Sequence, residues 1–157
     1  MAATPVPKGY HTLTPYLCVK GGAAAIEFYA RAFGARERMR LAGEYGKIGH
    51  AEIEVGDSVV MLADEHPDMG FHGPEHHQGS PVHLHLYVED VDAVYRRAVD
   101  AGATAVRPVA DQFYGDRSGS VRDPFGHTWH LATHKEDLSE EEMTARMQAM
   151  SEKGGGG

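Results

Sequence analysis

Val82-His83-Leu84-His85-Leu86-Tyr87-Val88-Glu89-Asp90 is the stretch on which the reading of this chain turns. Strict alternation places His83, His85 and Tyr87 on one face of a strand and Leu84, Leu86 and Val88 on the other. The leucine face calls for a core to pack against. The opposite face holds two imidazoles and a phenol where a solvated surface would more cheaply carry Thr, Lys or Ser, which suggests a polar concave surface and a candidate metal site. Histidines at i, i+2 also occur as plain hydrogen-bonding or solvated residues, and at this point both readings stand.

The segments around this strand repeat. After it, residues 91–101 read as a helix with Val94, Tyr95 and Ala98 inward, closed by Gly102, then strands at 104–109, 118–123 and 128–133. Upstream, residues 12–19 read as a strand and 22–33 as a helix with Ile26, Tyr29 and Phe33 on one stripe, closed by Gly34. Strands follow at 36–42, 49–55 and 58–63. Gly34 and Gly102 are 68 residues apart, and the turn glycines Gly56 and Gly126 are 70 apart, so two β-α-β-β-β blocks follow one another at a nearly fixed offset. The expected fold class is α+β: two tandem β-α-β-β-β modules forming a cupped mixed sheet, plus a C-terminal helix. One sheet face packs under the helices, and the other gathers Thr14, Tyr16, Cys18, His50, Glu52, Met61, His83, His85, Tyr87 and His130.

The expected organisation is a single domain over 1–157, with a first module at 11–64, a connecting loop at 65–81 and a second module at 82–134. A C-terminal helix at 138–152 and a disordered tail at 153–157 complete it. The connecting loop carries His66, His72, His76 and His77 among Gly and Pro without regular ligand spacing, and reads as a loop rather than a metal finger. Ser139 followed by Glu142 is a capping-box pattern flanked by a Leu138/Met143 staple. The stripe Met143, Met147 and Met150 reads as a face that docks on the body or on a second subunit.

At 157 residues the chain is long enough to bury a core without disulfides or a structural metal. Its net charge of −8 with histidines neutral, and its dispersed Lys and Arg, argue against nucleic acid as a partner. No apolar run approaches the ~20 residues that span a bilayer, so no membrane partner is expected. A start without an apolar h-region and a lone Cys18 make cytoplasmic the expected location.

The paired blocks, Leu86-Tyr87-Val88-Glu89-Asp90-Val91-Asp92 and Asp123-Pro124-Phe125-Gly126-His127 together resemble the vicinal oxygen chelate superfamily of glyoxalase I, bleomycin-resistance proteins and extradiol dioxygenases. Two further runs, residues 112–117 and 132–137, look like its glyoxalase/bleomycin-resistance-like branch. The resemblance covers about residues 13–134 and implies a homodimer that binds or processes a small molecule, using metal in some members and none in others. Metal ligands in such proteins come from the first, fourth, fifth and eighth strands, which fall here on Thr14, Met61, His83 and His130. Thr14 to His83 and Met61 to His130 are both 69 residues. His83 and His130 suit a divalent ion, whereas Thr14 is a poor ligand and Met61 a soft thioether, so the full glyoxalase donor set is lacking.

His85, His50 or Glu52 are the candidates to complete a site. The sharper expectation is therefore a divalent-metal-assisted lyase, isomerase or oxygenase-type reaction on an oxygen-bearing substrate, with metal candidates His83, His130, His85 and His50 and with Glu52 as general base. Tyr16, Tyr87 and Tyr114 are candidate walls of an aromatic slot, and Arg117 and Arg122 candidate clamps for an anionic substrate. Those tyrosines equally suit packing, and those arginines equally suit pairing with local acids. The alternative is a metal-free dimer that sequesters an aromatic or antibiotic-like ligand.

Overall fold

A computed structural model describes residues 2–154. The first module runs β1 (Tyr16–Val19), α1 (Gly22–Phe33), β2 (Arg36–Ala42), β3 (Ile48–Val55) and β4 (Ser58–Asp64). The second runs β5 (Leu84–Tyr87), α2 (Val91–Ala101), β6 (Thr104–Asp111), β7 (Asp116–Arg122) and β8 (Thr128–His134), and α3 (Glu140–Gly154) follows. The α+β reading with paired modules and a terminal helix holds. The sheet, however, is divided: each module makes its own four-stranded mixed sheet, ordered β1-β4-β3-β2 and β5-β8-β7-β6. In each, the first strand of the module lies parallel to its last.

Both expected outer strands begin later than the sequence pattern. Pro15 offers a carbonyl to the Met61 N–H but no N–H of its own, so β1 begins after it. β5 begins at Leu84, with the Val82 N–H turned to Ser80 Oγ. Pro108 is tolerated inside β6 because this is an edge strand whose register slips on either side of Arg107. The C-terminal helix extends to Gly154, two residues into the stretch expected as a tail, and residues 155–157 lie outside the described part.

Apolar faces meet in one core. Phe28, Tyr29 and Phe33 of α1 form a ring cluster with Phe125 and Trp129 of the second module, and α1 packs on α2. Asp123 is the buried hub of this seam, 3% exposed. Its carboxylate accepts from Tyr29 OH at 2.6 Å, Trp129 Nε1 at 2.9 Å and the Phe125 and His127 N–H groups. Four donors offset the cost of burying that charge. His127 extends the staple, its Nε2 lying 2.9 Å from the Cys18 carbonyl. The Asp-Pro-Phe-Gly-His run thus joins the modules, and the sheet faces turned away from the helices carry the candidate chemistry.

Candidate functional site in the polar sheet faces

On the second sheet, parallel pairing sets His85 against His130, and antiparallel pairing sets His130 against Ser120 and Ser120 against Arg107. Leu84 and Leu86 pair with Trp129 and Leu131 on the core face, so alternation leaves His83, His85 and His130 on the open one. His83 Nδ1 lies 2.9 Å from His130 Nε2, and His130 Nδ1 lies 2.6 Å from Ser120 Oγ. Burial, with His83, Arg107 and His85 close by, holds His130 below the ordinary imidazole pKa. A neutral, oriented imidazole is the form that ligates a metal or accepts a proton. Ser120 is essentially buried and fixes that ring, a role no local sequence signal disclosed.

Beside this pair, the His85 and Tyr87 rings are 4.8 Å apart, and Tyr87 donates its hydroxyl proton to Asp116 at 2.9 Å. That bond raises the Tyr87 pKa. Tyr114 OH lies 3.3 Å from Ser118 Oγ, two residues along β7 from Ser120, so Tyr87 and Tyr114 border the same face.

The first sheet holds a separate group. Tyr16 pairs with Met61 and Met61 with Glu52, which makes Tyr16-Met61-Glu52 the first-module equivalent of His85-His130-Ser120. Tyr16 OH is 2.9 Å from His50 Nδ1, and His50 Nε2 is 3.0 Å from Glu52 Oε2. Tyr10 donates to the other Glu52 oxygen, and Arg38 stands 4.9 Å over the Tyr10 ring. Glu52 is 6% exposed. Burial, the largest single influence, pushes its pKa up, but the bonds from Tyr10 and His50 together with the charges of His50 and Arg38 make the net shift downward. Tyr10 lies in a segment without periodicity, which is why sequence patterning passed over it.

Within one chain the structure places the remaining expected site residues as follows. His50 and Glu52 do not join His83 and His130 within one chain: they sit on the other sheet, and no hydrogen bond or ring contact links the two groups among the described residues. Accordingly no group of three His, Cys, Asp or Glu side chains is poised to hold a metal among the described residues. Arg117 is no free clamp. It lies on the helix side of β7 and binds Asp92 bidentately at 2.8 and 2.9 Å, with Asp111 at 3.2 Å, rather than its neighbour Asp116. Arg122 is exposed on the pleat face of Ser118 and Ser120, at a cavity shared with Lys20 and Thr104.

With the paired modules and the facing histidines in view, the class is settled. The family model of the Glyoxalase/Bleomycin resistance protein/Dioxygenase superfamily matches residues 10–131, and the chain belongs to that superfamily. It is 44% identical over 147 residues to the Mycobacterium tuberculosis protein Rv0887c, covering 92% of this chain and 85% of that one. Among solved structures, the Arabidopsis thaliana gene product AT5G48480 superposes with a TM-score of 0.64 at 29% identity, over 78% of this chain and 98% of that chain. TioX from Micromonospora sp. ML1 superposes at 0.61 and 26%, over 82% and 100%. No helix among the described residues is long and apolar enough to cross a membrane.

Proposed function

We propose that the protein processes an oxygen-bearing small molecule in the hollow over its second sheet, with His83 and His130 as two nitrogen donors to a divalent ion. The observation that carries this is that His83 Nδ1 and His130 Nε2 face each other at 2.9 Å across a hydrogen bond, so that a small rotation of either ring would turn both nitrogens on one ion, whose neighbouring donors stand about 3.0 to 3.4 Å apart. The imidazole pair therefore fits a borderline ion such as zinc, nickel, iron, manganese or cobalt, while Thr14 and Met61 do not add to the set. The remaining donor, His50 or Glu52, would come from the first sheet of a second copy in a homodimer, with His85 lining the hollow. When bound, the ion would act as a Lewis acid on a carbonyl or vicinal-diol oxygen, supporting lyase, isomerase or oxygenase-type chemistry.

The chain's own groups divide the remaining work. Ser120 holds the His130 ring, Tyr87 and Tyr114 present an aromatic wall, and Arg107, exposed and set opposite Ser120, joins Arg122 as a cation available to an anionic substrate. Glu52 becomes available as general base once Tyr10 is displaced from it. Metal content per chain in tag-free protein tests the reading. A stoichiometric ion that is lost in both His83→Ala and His130→Ala is expected, and an ion retained in both variants would overturn it.

One observation favours a second reading. His85, Tyr87 and Tyr114 border one sheet face with aromatic rings, which suits a dimer that sequesters an aromatic or antibiotic-like ligand. In that case aromatic compounds raise the melting temperature of metal-free protein.

A further inference from the structure

We infer that the cleft between the β2–β3 turn and the start of the connecting loop binds an organic cation, an ammonium group carried on an apolar or aromatic body. The cleft encloses about 960 Å³ between residues 43–49 on one side and 65–71 on the other, a volume that suits a small molecule. Buried Ile48 and Ala63 line it, and Tyr16 and Phe71 meet edge to face beside them at 5.8 Å between centroids. Both walls are preformed. Gly43 N–H donates to the Lys47 carbonyl at 2.7 Å, while His66 and Phe71 exchange backbone bonds of 2.8 and 3.1 Å. His85, Tyr87 and Tyr114 of the second sheet do not line this cleft, which is therefore distinct from the hollow of the proposed reaction.

One aromatic residue is held at this cleft against the preference of its backbone. Residues 44–47 form a tight turn closed by the Lys47 N–H on the Glu44 carbonyl at 3.1 Å, with Tyr45 at φ 57° and ψ 36° and Gly46 at φ 74°. Two consecutive positive φ angles define the type I′ turn, whose first central position is the place of Asn, Asp or Gly. A tyrosine there carries backbone strain, yet its side chain makes no ring contact or hydrogen bond among the described residues and Tyr45 is 96% exposed. No folding contact offsets that cost. Tyr45 is instead a free aromatic face at a cleft that Tyr16, Phe71 and exposed Met69 also line, a set that receives the apolar part of a ligand. Charge decides what else that ligand carries. Asp64 spends its carboxylate on the Gly21, Gly22 and Ile48 N–H groups. Among the described residues Glu44 and Asp68 are exposed and unpaired, and Glu65 uses only one oxygen, on Gly73, while Lys47 is the one lysine or arginine lining the cleft. A net negative rim around aromatic faces attracts an ammonium through both its carboxylates and the ring quadrupoles.

Benzyltrimethylammonium chloride titrated into tag-free protein at neutral pH, followed through the tyrosine ring NMR signals, tests the cleft, with benzyl alcohol and benzoate as its neutral and anionic counterparts. The cation should bind about tenfold more tightly than either counterpart, shift the Tyr45 ring and lose affinity with added salt. Tyr45→Asn suits the turn, so it should leave the melting temperature unchanged or higher while weakening the cation about tenfold. Glu44→Gln/Asp68→Asn should weaken the cation and leave benzyl alcohol as it was. The His83→Ala/His130→Ala variant should bind the cation like wild type, which separates this cleft from the second-sheet hollow. Full affinity in Tyr45→Asn, equal affinity for the cation and benzyl alcohol, or no binding of the cation at millimolar concentration would each refute the assignment.

Discussion

His134 lies between two carboxylates, with Nδ1 2.7 Å from Asp116 and Nε2 2.7 Å from Asp137. Both nitrogens can be satisfied as donors only in the imidazolium, and the bond to Asp116, followed by that to Asp137, raises the pKa above the ordinary 6.5. Because the folded pKa exceeds the unfolded one, the stabilisation is complete below about pH 6.5 and fades as pH rises through the folded value. The gap in melting temperature between wild type and His134→Gln should therefore be widest near pH 6 and close toward pH 9. A gap that widens with rising pH would contradict the assignment. The loss also reaches the candidate hollow, since Asp116 is the acceptor for Tyr87. Arg117 shows why such partners escape sequence reading: local acids were the expected neighbours, whereas alternation turns it to the helix side, where α2 supplies Asp92.

Helix α1 shows what could and could not be read ahead of the structure. Its bounds followed from the Ile26, Tyr29 and Phe33 stripe and from Gly34, which closes it in the left-handed conformation at φ 69°. Its N-terminal cap did not, because Gly21 has no side chain to offer. Asp64, at the end of β4, does the work from 43 residues away, accepting from Gly21 and Gly22 through Oδ1 and from Ile48 through Oδ2. Period-2 and period-3.6 patterns are local, so they gave the strands, the polar faces that carry His83 and His130 and the module repeat, while the pairing of those two histidines came from the family resemblance. They could not show that the two sheets divide, nor that Tyr10 covers Glu52, since both depend on packing between distant segments. Asp64→Ala removes the acceptor for three backbone N–H groups at once and should cost about 2 kcal/mol. For a chain of this size that is roughly a 4–8 °C fall in melting temperature, with α1 amides exchanging faster than those of α2. Equal exchange in the two helices would show that the cap is not what holds α1.

At the scale of the whole molecule, the two polar sheet faces are left with apolar side chains in the open. Leu41 pairs with His50 and Met39 with Glu52, so both lie on the first sheet's polar side, where Leu41 is 56% and Tyr16 47% exposed. On the second sheet Tyr87 is 59% exposed. Apolar groups interspersed with histidines on an uncovered sheet are what an interface between copies presents, and a stable one buries upward of about 1,000 Å². A second copy laid first sheet to second sheet would cover these residues and bring His50 and Glu52 toward the His83/His130 pair, supplying the donors that one chain lacks. The protein should therefore sediment at twice its 17.1 kDa chain mass at micromolar concentration. Leu41→Glu, a change on the face but outside the donor set, should shift it toward monomer with unchanged circular dichroism. The informative comparison is metal content in that variant: loss of the ion with His83 and His130 intact would mean that the hollow is built by two copies. A Leu41→Glu monomer that keeps a full equivalent at His83 and His130 would instead assign the whole donor set to one chain.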